Sequence, residues 1–176
     1  IDVAALITGD ANNYSLGTEQ PKITIVEFAD FACPYCKKSF STIREISLNY
    51  NKDIKYIFRD LPIVKDYSSS LALAGRCAGE QGLFWPLHDR LFMDQGIKER
   101  SEIILAAQKS GVEINKFEDC FDSQKYLDQI KKDYQDAQAL GIDPVGTPVW
   151  FINDRQVSGN IPEDVFIQII DDILNK

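Results

Sequence analysis

Residues 23–36 read ITIVEFADFACPYC, and this stretch decides the fold of the chain. Its first seven residues, ITIVEFA, form a mainly apolar and largely β-branched run, which is the pattern of a buried β-strand. Residues 37–50 carry apolar side chains at helical spacing directly after the second cysteine. Two thiols three residues apart therefore stand where a helix leaves a sheet, which indicates a dithiol reaction centre. The partial positive charge of the helix N-terminus favours a thiolate at Cys33, and Pro34 suits an early helical position because it has no N–H.

Composition and charge limit the classes of protein to which the chain can belong. With 176 residues, 44% of them hydrophobic, it is one domain, or one domain carrying an insertion. The net charge of −8 and the pI near 4.7 argue against nucleic-acid binding. No apolar run approaches the roughly 20 residues that a membrane-spanning helix needs. The sequence begins at Ile1 without an initiator Met, so we expect a processed form that has lost a signal peptide or an anchor.

Strand and helix patterns continue along the rest of the chain. Further strands are predicted at residues 54–59, 148–153 and 156–158. Several helical patterns lie between the first two and the last two strands, and the clearest of them opens at Ser123 and ends near Gly141. The last predicted element is a helix from Pro162, with acidic residues in its first turn.

The order of these elements is strand–helix–strand, then helices, then strand–strand–helix. Two halves of one sheet therefore bracket a helical insertion, which indicates an α/β sheet domain with a helical cap. We divide the chain into three parts. Residues 1–20 are an N-terminal arm, residues 21–62 and 141–176 are the sheet domain, and residues 63–140 are an inserted helical domain. We expect the arm to be loose because its sequence is polar and weakly periodic.

A Cys-x-x-Cys motif alone fits a zinc half-site, a Cu(I) site, an inert pair or a dithiol that exchanges with disulfides. A structural zinc site usually needs two such pairs or two His, but Cys77 and Cys120 stand alone and His88 is the only histidine. Cu(I) also prefers thiolates, but no Met precedes the pair. We therefore favour disulfide exchange without a metal. In that mechanism an exposed Cys33 forms the mixed disulfide and Cys36, one helical turn deeper, resolves it.

Several short motifs occur in a fixed order along the chain: EFADFACPYC at residues 27–36, RDLP at 59–62, FW and HD at 84–85 and 88–89, and GTP at 146–148. Together they resemble the DsbA-like thioredoxin-fold family of protein thiol–disulfide oxidoreductases, from about residue 17 to the C-terminus. The resemblance implies an α/β thioredoxin fold with a helical domain inserted between its N-terminal βαβ and C-terminal ββα halves. It implies no cofactor other than the redox-active disulfide itself.

The same resemblance implies roles for single residues of the first motif. Cys33 would be the nucleophile and Cys36 its buried partner, with Pro34 and Tyr35 as the active-site loop between them. Glu27 matches the buried acidic residue of the first strand, which helps to move the proton of the buried thiol. Its structural alternative is a carboxylate at the edge of a strand.

The last motif implies a substrate-binding element. Pro148 would be a cis proline facing the cysteine pair, and Thr147 would offer backbone groups to a peptide that binds as an added strand. The chain departs from DsbA at Tyr35, where DsbA has His, and at Thr147, where DsbA has Val. Because Tyr35 cannot carry the positive charge of a His, we expect a less extreme thiolate stabilisation. At both positions the chain resembles the DsbC-, DsbG- and ScsC-like isomerases and reductases. These proteins usually work as oligomers through a segment before the catalytic domain.

The remaining cysteines, Cys77 and Cys120, have three interpretations. Free buried cysteines are common as small apolar residues, and an exposed pair could be redox-active or link two chains. We favour a structural disulfide between two helices of the insertion, because an exporting compartment oxidises a suitably placed pair.

The sequence thus predicts an extracytoplasmic or periplasmic oxidoreductase, membrane-associated before trimming, that forms disulfides in secreted proteins through Cys33 and Cys36. Its expected partners are unfolded or misfolded secreted proteins and a membrane or periplasmic redox protein, with no nucleic acid and no metal. The sequence leaves open whether the protein forms an oligomer through the missing N-terminal region. Alternative functions are a disulfide isomerase or reductase of the same fold, and a peptide-binding chaperone module.

Overall fold

A computed structural model of the chain describes residues 2–142 and 146–176. Residues 1 and 143–145, which belong to the predicted arm and sheet domain, lie outside this description. The strands in the described ranges are β1 Tyr14–Gly17, β2 Ile23–Ala29, β3 Ile54–Asp60, β4 Val149–Ile152 and β5 Arg155–Ser158. The helices are α1 Val3–Thr8, α2 Pro34–Asn49, α3 Ser68–Gly79, α4 Phe84–Met93, α5 Arg100–Lys109, α6 Ile114–Asp122, α7 Leu127–Ala139 and α8 Glu163–Leu174. In these ranges no helix is long and apolar enough to cross a membrane.

The five strands form one mixed sheet in the order β1-β3-β2-β4-β5. β2 and β3 run parallel and are joined through α2, whereas the other three neighbouring pairs are antiparallel. Helices α3 to α7 all lie between β3 and β4 in the sequence. The hairpin of β4 and β5 leads into α8, so the chain has βαβ and ββα halves separated by helices, as the sequence predicts.

The sheet is covered on both faces, which explains why β2 is a continuous apolar run instead of an alternating one. Ile25 of β2 belongs to the larger core cluster, which includes apolar residues of α2, α3, α4 and α8. Val26 and Phe28 belong to a second cluster with residues of α1 and α7. The ring of Phe28 meets the ring of Phe151 edge to face, with centroids 6.1 Å apart. β2 is therefore a rigid central element, and the residues at its carboxyl end are held in place.

The expectation that residues 1–20 form a loose arm is wrong for α1 and β1. β1 pairs antiparallel with β3 at the edge of the sheet. The ring of Tyr14 stacks on Phe84 with centroids 4.0 Å apart, and Arg59 donates to two carbonyls of α1. These partners lie far away in the sequence, so local composition did not reveal them.

The predicted start of the clearest helix, Ser123, is also wrong. Ser123 ends α6, where its hydroxyl donates to the carbonyl of Cys120 at 3.1 Å. Gln124 follows with a φ of 54°, a left-handed conformation that interrupts a helix. α7 therefore begins only at Leu127, after a turn.

A buried ionic network joins β3 to α3 and α7. Asp133 contacts Arg59 at 2.9 Å and Arg76 at 2.6 Å, and none of the three side chains is more than 2% exposed. Arg59 also contacts Asp136, and Arg76 contacts Asp60, both at 2.6 Å. Charges buried in this way are tolerated because each has an opposite charge and hydrogen bonds around it.

Candidate active site

The two cysteines lie at the N-terminus of α2, just beyond the carboxyl end of β2. Cys33 is the N-cap residue, and its Sγ accepts the backbone N–H of Cys36 at 3.4 Å. Pro34 is the first residue of the helix, where its missing N–H leaves no hydrogen bond unmade. Both thiols are free and not joined to each other, so the site is in its reduced form.

The structure brings the second predicted motif against the first. The peptide bond between Thr147 and Pro148 is cis, and the Sγ of Cys33 donates to the carbonyl oxygen of Thr147 at 3.3 Å. A surface groove of about 720 Å³ opens beside this contact. It is lined by residues 33–35, 146–148 and 158–160 together with Lys38 and Val64.

The expectation of an exposed Cys33 is wrong for this reduced form, because the residue is only 3% exposed. As the helix cap, its thiol turns toward the N–H of Cys36 and the carbonyl of Thr147. Pro34 and Tyr35 instead are the exposed residues of the loop, with Tyr35 at 57%. Cys33 forms part of the wall of the groove, so a substrate sulfur would have to enter the groove to meet it.

Hydrogen bonding favours the ionised form of Cys33. It lowers the pKa of this thiol from 9.0 to about 6, with the hydrogen bond from the Cys36 side chain contributing most. Thr147 and the backbone N–H groups of Cys36 and Tyr35 add to the effect, while burial opposes it. These donors belong to the helix N-terminus and the proline loop, so the thiolate depends on the contact between the two motifs.

The second thiol has the opposite environment. Cys36 is fully buried, and this burial raises the pKa of its thiol well above 9.0. Glu27 of β2 is 1% exposed, and burial raises the pKa of its carboxyl to about 8. The negative charge of Glu27 is close enough to raise the pKa of Cys36 further. The site therefore pairs one readily ionised thiol with one thiol that holds its proton, next to a carboxyl that titrates near neutral pH.

Two residues that support the site were not identified from the sequence. Gln95, which follows α4, donates from Nε2 to the carbonyl oxygens of Phe31 and Cys33, both at 2.9 Å. Asp30 accepts the backbone N–H of Ala32 at 2.8 Å and two N–H groups of the loop after β3. Asp30 stood inside the quoted motif and could have been assigned such a role. Gln95 lies in an ordinary loop sequence and gave no signal.

The remaining two cysteines form a disulfide, and the histidine is a buried core residue. Cys77 of α3 and Cys120 of α6 form a disulfide with a Cα–Cα distance of 5.7 Å. His88 is buried among aromatic rings, and its Nδ1 lies 2.8 Å from a carboxylate oxygen of Asp89. In the part of the chain that the structure describes, no three His, Cys, Asp or Glu side chains are grouped as metal ligands.

A family model described as thioredoxin matches residues 10–172, nearly the whole chain. Among curated proteins, the chain is 30% identical over 145 residues to the Na(+)/H(+) antiporter NhaA 3 of Salinispora tropica. That match covers 81% of this chain but 22% of the antiporter. An NhaA antiporter of Herminiimonas arsenicoxydans is also 30% identical, with 23% of its length covered. The chain thus spans less than a quarter of the length of these relatives.

Solved structures match over almost the full length of the chain. A periplasmic thioredoxin-like protein from Salmonella enterica serovar Typhimurium is 26% identical, with a TM-score of 0.83 over 99% of this chain and 97% of that one. The thiol-disulfide exchange protein α-DsbA2 of Wolbachia pipientis, 23% identical, has a TM-score of 0.85 over 97% and 95% of the two chains. The thioredoxin fold class predicted from the sequence is confirmed.

Proposed function

Since this chain belongs to the thioredoxin family, we propose that it is an enzyme that exchanges thiols and disulfides in proteins through Cys33 and Cys36. The observation that carries the proposal is the opposite environment of the two thiols. Hydrogen bonds lower the pKa of Cys33 to about 6, whereas burial raises that of Cys36 well above 9.0. A dithiol divided in this way has one member that reacts with the substrate and one that resolves the mixed disulfide.

We propose oxidation of substrate thiols as the main direction. A substrate thiolate attacks Sγ of Cys33 in the oxidised enzyme, the Cys33–Cys36 bond breaks, and Cys36 takes a proton from Glu27. A second substrate thiolate then attacks the substrate sulfur of the mixed disulfide, and Cys33 leaves as a thiolate. Two substrate thiols become one disulfide, and the enzyme pair gains two electrons. The lowered pKa of Cys33 supports this direction because it makes Cys33 a better leaving group and stabilises the reduced enzyme.

The shape of the groove supports a peptide substrate in extended conformation. The groove runs from the exposed ring of Tyr35 past Cys33 to the Thr147–Pro148 bond. A peptide that lies along residues 146–148 would pair with their backbone as an added strand. Because an unfolded chain can adopt this conformation and a packed one cannot, the proposed substrates are unfolded or misfolded secreted proteins. A membrane or periplasmic redox protein would reoxidise Cys33 and Cys36.

An extracytoplasmic location is part of the same proposal. It is supported by the similarity to the periplasmic protein from Salmonella and by the Cys77–Cys120 disulfide, since such bonds persist in oxidising compartments. Within the chain, we assign catalysis to residues 21–62 and 141–176 and treat residues 63–140 as a helical cap. The contact of Gln95 with the active-site turn supports a cap that also holds the site in shape.

The test compares four proteins in the oxidation of a reduced two-cysteine peptide: the wild type, Cys33→Ser, Cys36→Ser and the double variant C33S/C36S. We expect C33S to be inactive. Given glutathione disulfide as the oxidant, C36S should accumulate a mixed disulfide with glutathione at Cys33 that it cannot resolve, visible by mass spectrometry. Equal activity of wild type and a C33S/C36S double variant would overturn the proposal in favour of a chaperone module.

The direction of exchange is tested separately, because Tyr35 and Thr147 favour a second candidate, a disulfide isomerase or reductase. The oxidised wild type is assayed on the reduced peptide, and the reduced wild type is assayed on a misoxidised protein. Faster peptide oxidation supports the oxidase. Faster unscrambling, lost in C33S, contradicts the oxidase and supports the isomerase.

A further inference from the structure

Tyr56 of β3 contacts the carboxyl of Glu27 inside the core. In the parallel register Glu27 lies opposite Phe58, two residues beyond Tyr56, so Glu27 and Tyr56 are diagonal neighbours on one face of the sheet. The Tyr56 hydroxyl donates to Oε2 of Glu27 at 2.5 Å. Tyr56 is 0% and Glu27 1% exposed. This is a short, fully buried, charge-assisted hydrogen bond whenever Glu27 is ionised.

The surroundings hold both groups in place. The Tyr56 ring packs against Trp85, with centroids 5.4 Å apart. The titratable groups that face Glu27 are Cys33 at the N-cap of α2, Cys36 of α2 and Tyr56 itself. The charged groups of Arg44 from α2 and Asp89 from α4 act on the Tyr56 hydroxyl and form an ion pair with each other at 3.1 Å, partly exposed to solvent. Tyr56 thus interacts with both the buried carboxyl and a partly exposed ion pair.

We propose that Tyr56 is a positioning residue of the exchange reaction, whose hydroxyl favours the ionised form of the Glu27 carboxyl and aims it so that it can take the proton of Cys36. The proposal rests on the function proposed above. It concerns the step in which Cys36 attacks the mixed disulfide at Cys33. In that step the Cys36 S–H proton moves to Glu27, the Cys36 sulfur bonds to Cys33, and the bound thiol leaves as a thiolate that takes a proton from solvent.

Toward the ionised carboxyl of Glu27, the hydroxyl of Tyr56 acts as a hydrogen-bond donor. Burial raises the pKa of Tyr56 well above 10.0, so it stays protonated throughout the pH range of the reaction. A donor favours the charged form of the carboxyl, and this hydrogen bond opposes the burial that raises the pKa of Glu27. Without it, a larger fraction of Glu27 would be protonated at neutral pH and unable to accept the proton of Cys36.

The experiment isolates this one step. The mixed disulfide between Cys33 and glutathione is prepared, and the release of glutathione by Cys36 is followed across pH in wild type and Tyr56→Phe. We expect release in Y56F to be several-fold slower at pH 7, with the midpoint of its pH profile about one pH unit higher. The rates should converge at high pH, where Glu27 is ionised in both proteins. A lower rate without a shift of the midpoint would mean a packing defect and would overturn the proposal.

Two further variants serve as controls. Tyr14→Phe removes the hydroxyl of another, half-buried tyrosine, which donates to the carbonyl of Arg76 at 3.3 Å, and should leave the pH profile unchanged. In a Glu27→Gln background Y56F should cause no additional loss, because the two groups act as one unit. An equal loss in both backgrounds would overturn the proposal. Inactivity of the wild type itself would instead refute the proposed function, so the two failures are distinguishable.

Discussion

At the residue scale, the reactivity of Cys33 depends on donors that come from two separate segments. The strongest contributions to its lowered pKa are hydrogen bonds, from Cys36 in the same helix and from Thr147 in the proline loop. The Thr147 hydroxyl is buried and, among the described residues, has no conventional hydrogen-bond partner in the reduced form. This hydroxyl can donate to the sulfur once the thiol ionises, and this is the hydrogen bond by which Thr147 lowers the pKa of Cys33.

Replacing Thr147 by Val keeps the branched shape of the side chain and removes this donor. We expect the pKa of Cys33 to rise from about 6 by about one unit. The pH dependence of Cys33 alkylation measures it directly: T147V should react more slowly near pH 6 to 7 and equally fast above pH 9. Thr147→Ser, which keeps the hydroxyl, should behave as wild type. An unchanged midpoint in T147V would contradict the role of Thr147.

The same pKa has a consequence for stability. The folded pKa of Cys33 lies below the ordinary value of 9.0, so ionisation stabilises the folded reduced protein above about pH 9. This contribution is lost as pH falls through about 6. The oxidised form has no thiol at Cys33 and lacks this dependence. The stability advantage of the reduced form should therefore grow between pH 6 and 9, and by less in T147V.

How much of the site could be predicted depends on how local its signals are. Short motifs contain Cys33, Cys36, Thr147 and Pro148, and these residue types at this spacing indicate their chemistry without a structure. Tyr56 stood in the predicted second strand, but nothing in a single sequence gives the register that places its hydroxyl on Glu27.

At the scale of elements, the Cys77–Cys120 disulfide fastens α3 to α6 across 43 positions of sequence. Replacing both cysteines by Ala should lower the free energy of unfolding by about 4 kcal/mol, because the unfolded chain regains the freedom of that loop. Urea denaturation measures this difference.

Peptide oxidation by the folded C77A/C120A protein should match that of wild type, since the reacting sulfurs are Cys33 and Cys36. The matched control is C33S/C36S, in which two cysteines are also replaced but the Cys77–Cys120 disulfide is kept. An unfolding midpoint of C77A/C120A equal to that of C33S/C36S would contradict the prediction.

Elements with long apolar patterns were predictable, and elements that depend on distant partners were not. β2 buries side chains on both of its faces and α8 buries one stripe, so the sequences of both elements contain a long apolar pattern. β1 has four residues and joins the sheet only because β3 offers an edge and Phe84 a surface for Tyr14. The same reason explains why residues 1–20 were expected to be loose.

At the scale of the whole molecule, Asp133 is the point where separate parts of the chain meet. Its carboxylate accepts from Arg59 at 2.9 Å, from Arg76 at 2.6 Å and from the backbone N–H of Asp60 at 3.0 Å. The same two guanidinium groups donate to backbone carbonyls of the N-terminal segment, in α1 and at Asn12. One carboxylate thus connects the sheet, α3, α7 and the N-terminus.

Replacing Asp133 by Asn leaves the volume nearly unchanged and removes the one carboxylate that both buried guanidinium groups share. Arg59 and Arg76 then stay buried with one carboxylate each, Asp136 and Asp60, and breaking buried ion pairs in this way costs about 3–5 kcal/mol. Urea denaturation of D133N should show this loss in both the oxidised and the reduced protein, since the network does not include the active-site thiols. Asp122→Asn is the matched control: Asp122 pairs with Arg100 on the surface, where water replaces the lost contact. Equal unfolding midpoints for D133N and D122N would contradict the prediction. In the folded D133N protein, glutathione release at Cys33 should be unchanged. A loss of stability confined to D133N would then show that the network supports the fold, while Glu27 and the two thiols carry out the chemistry.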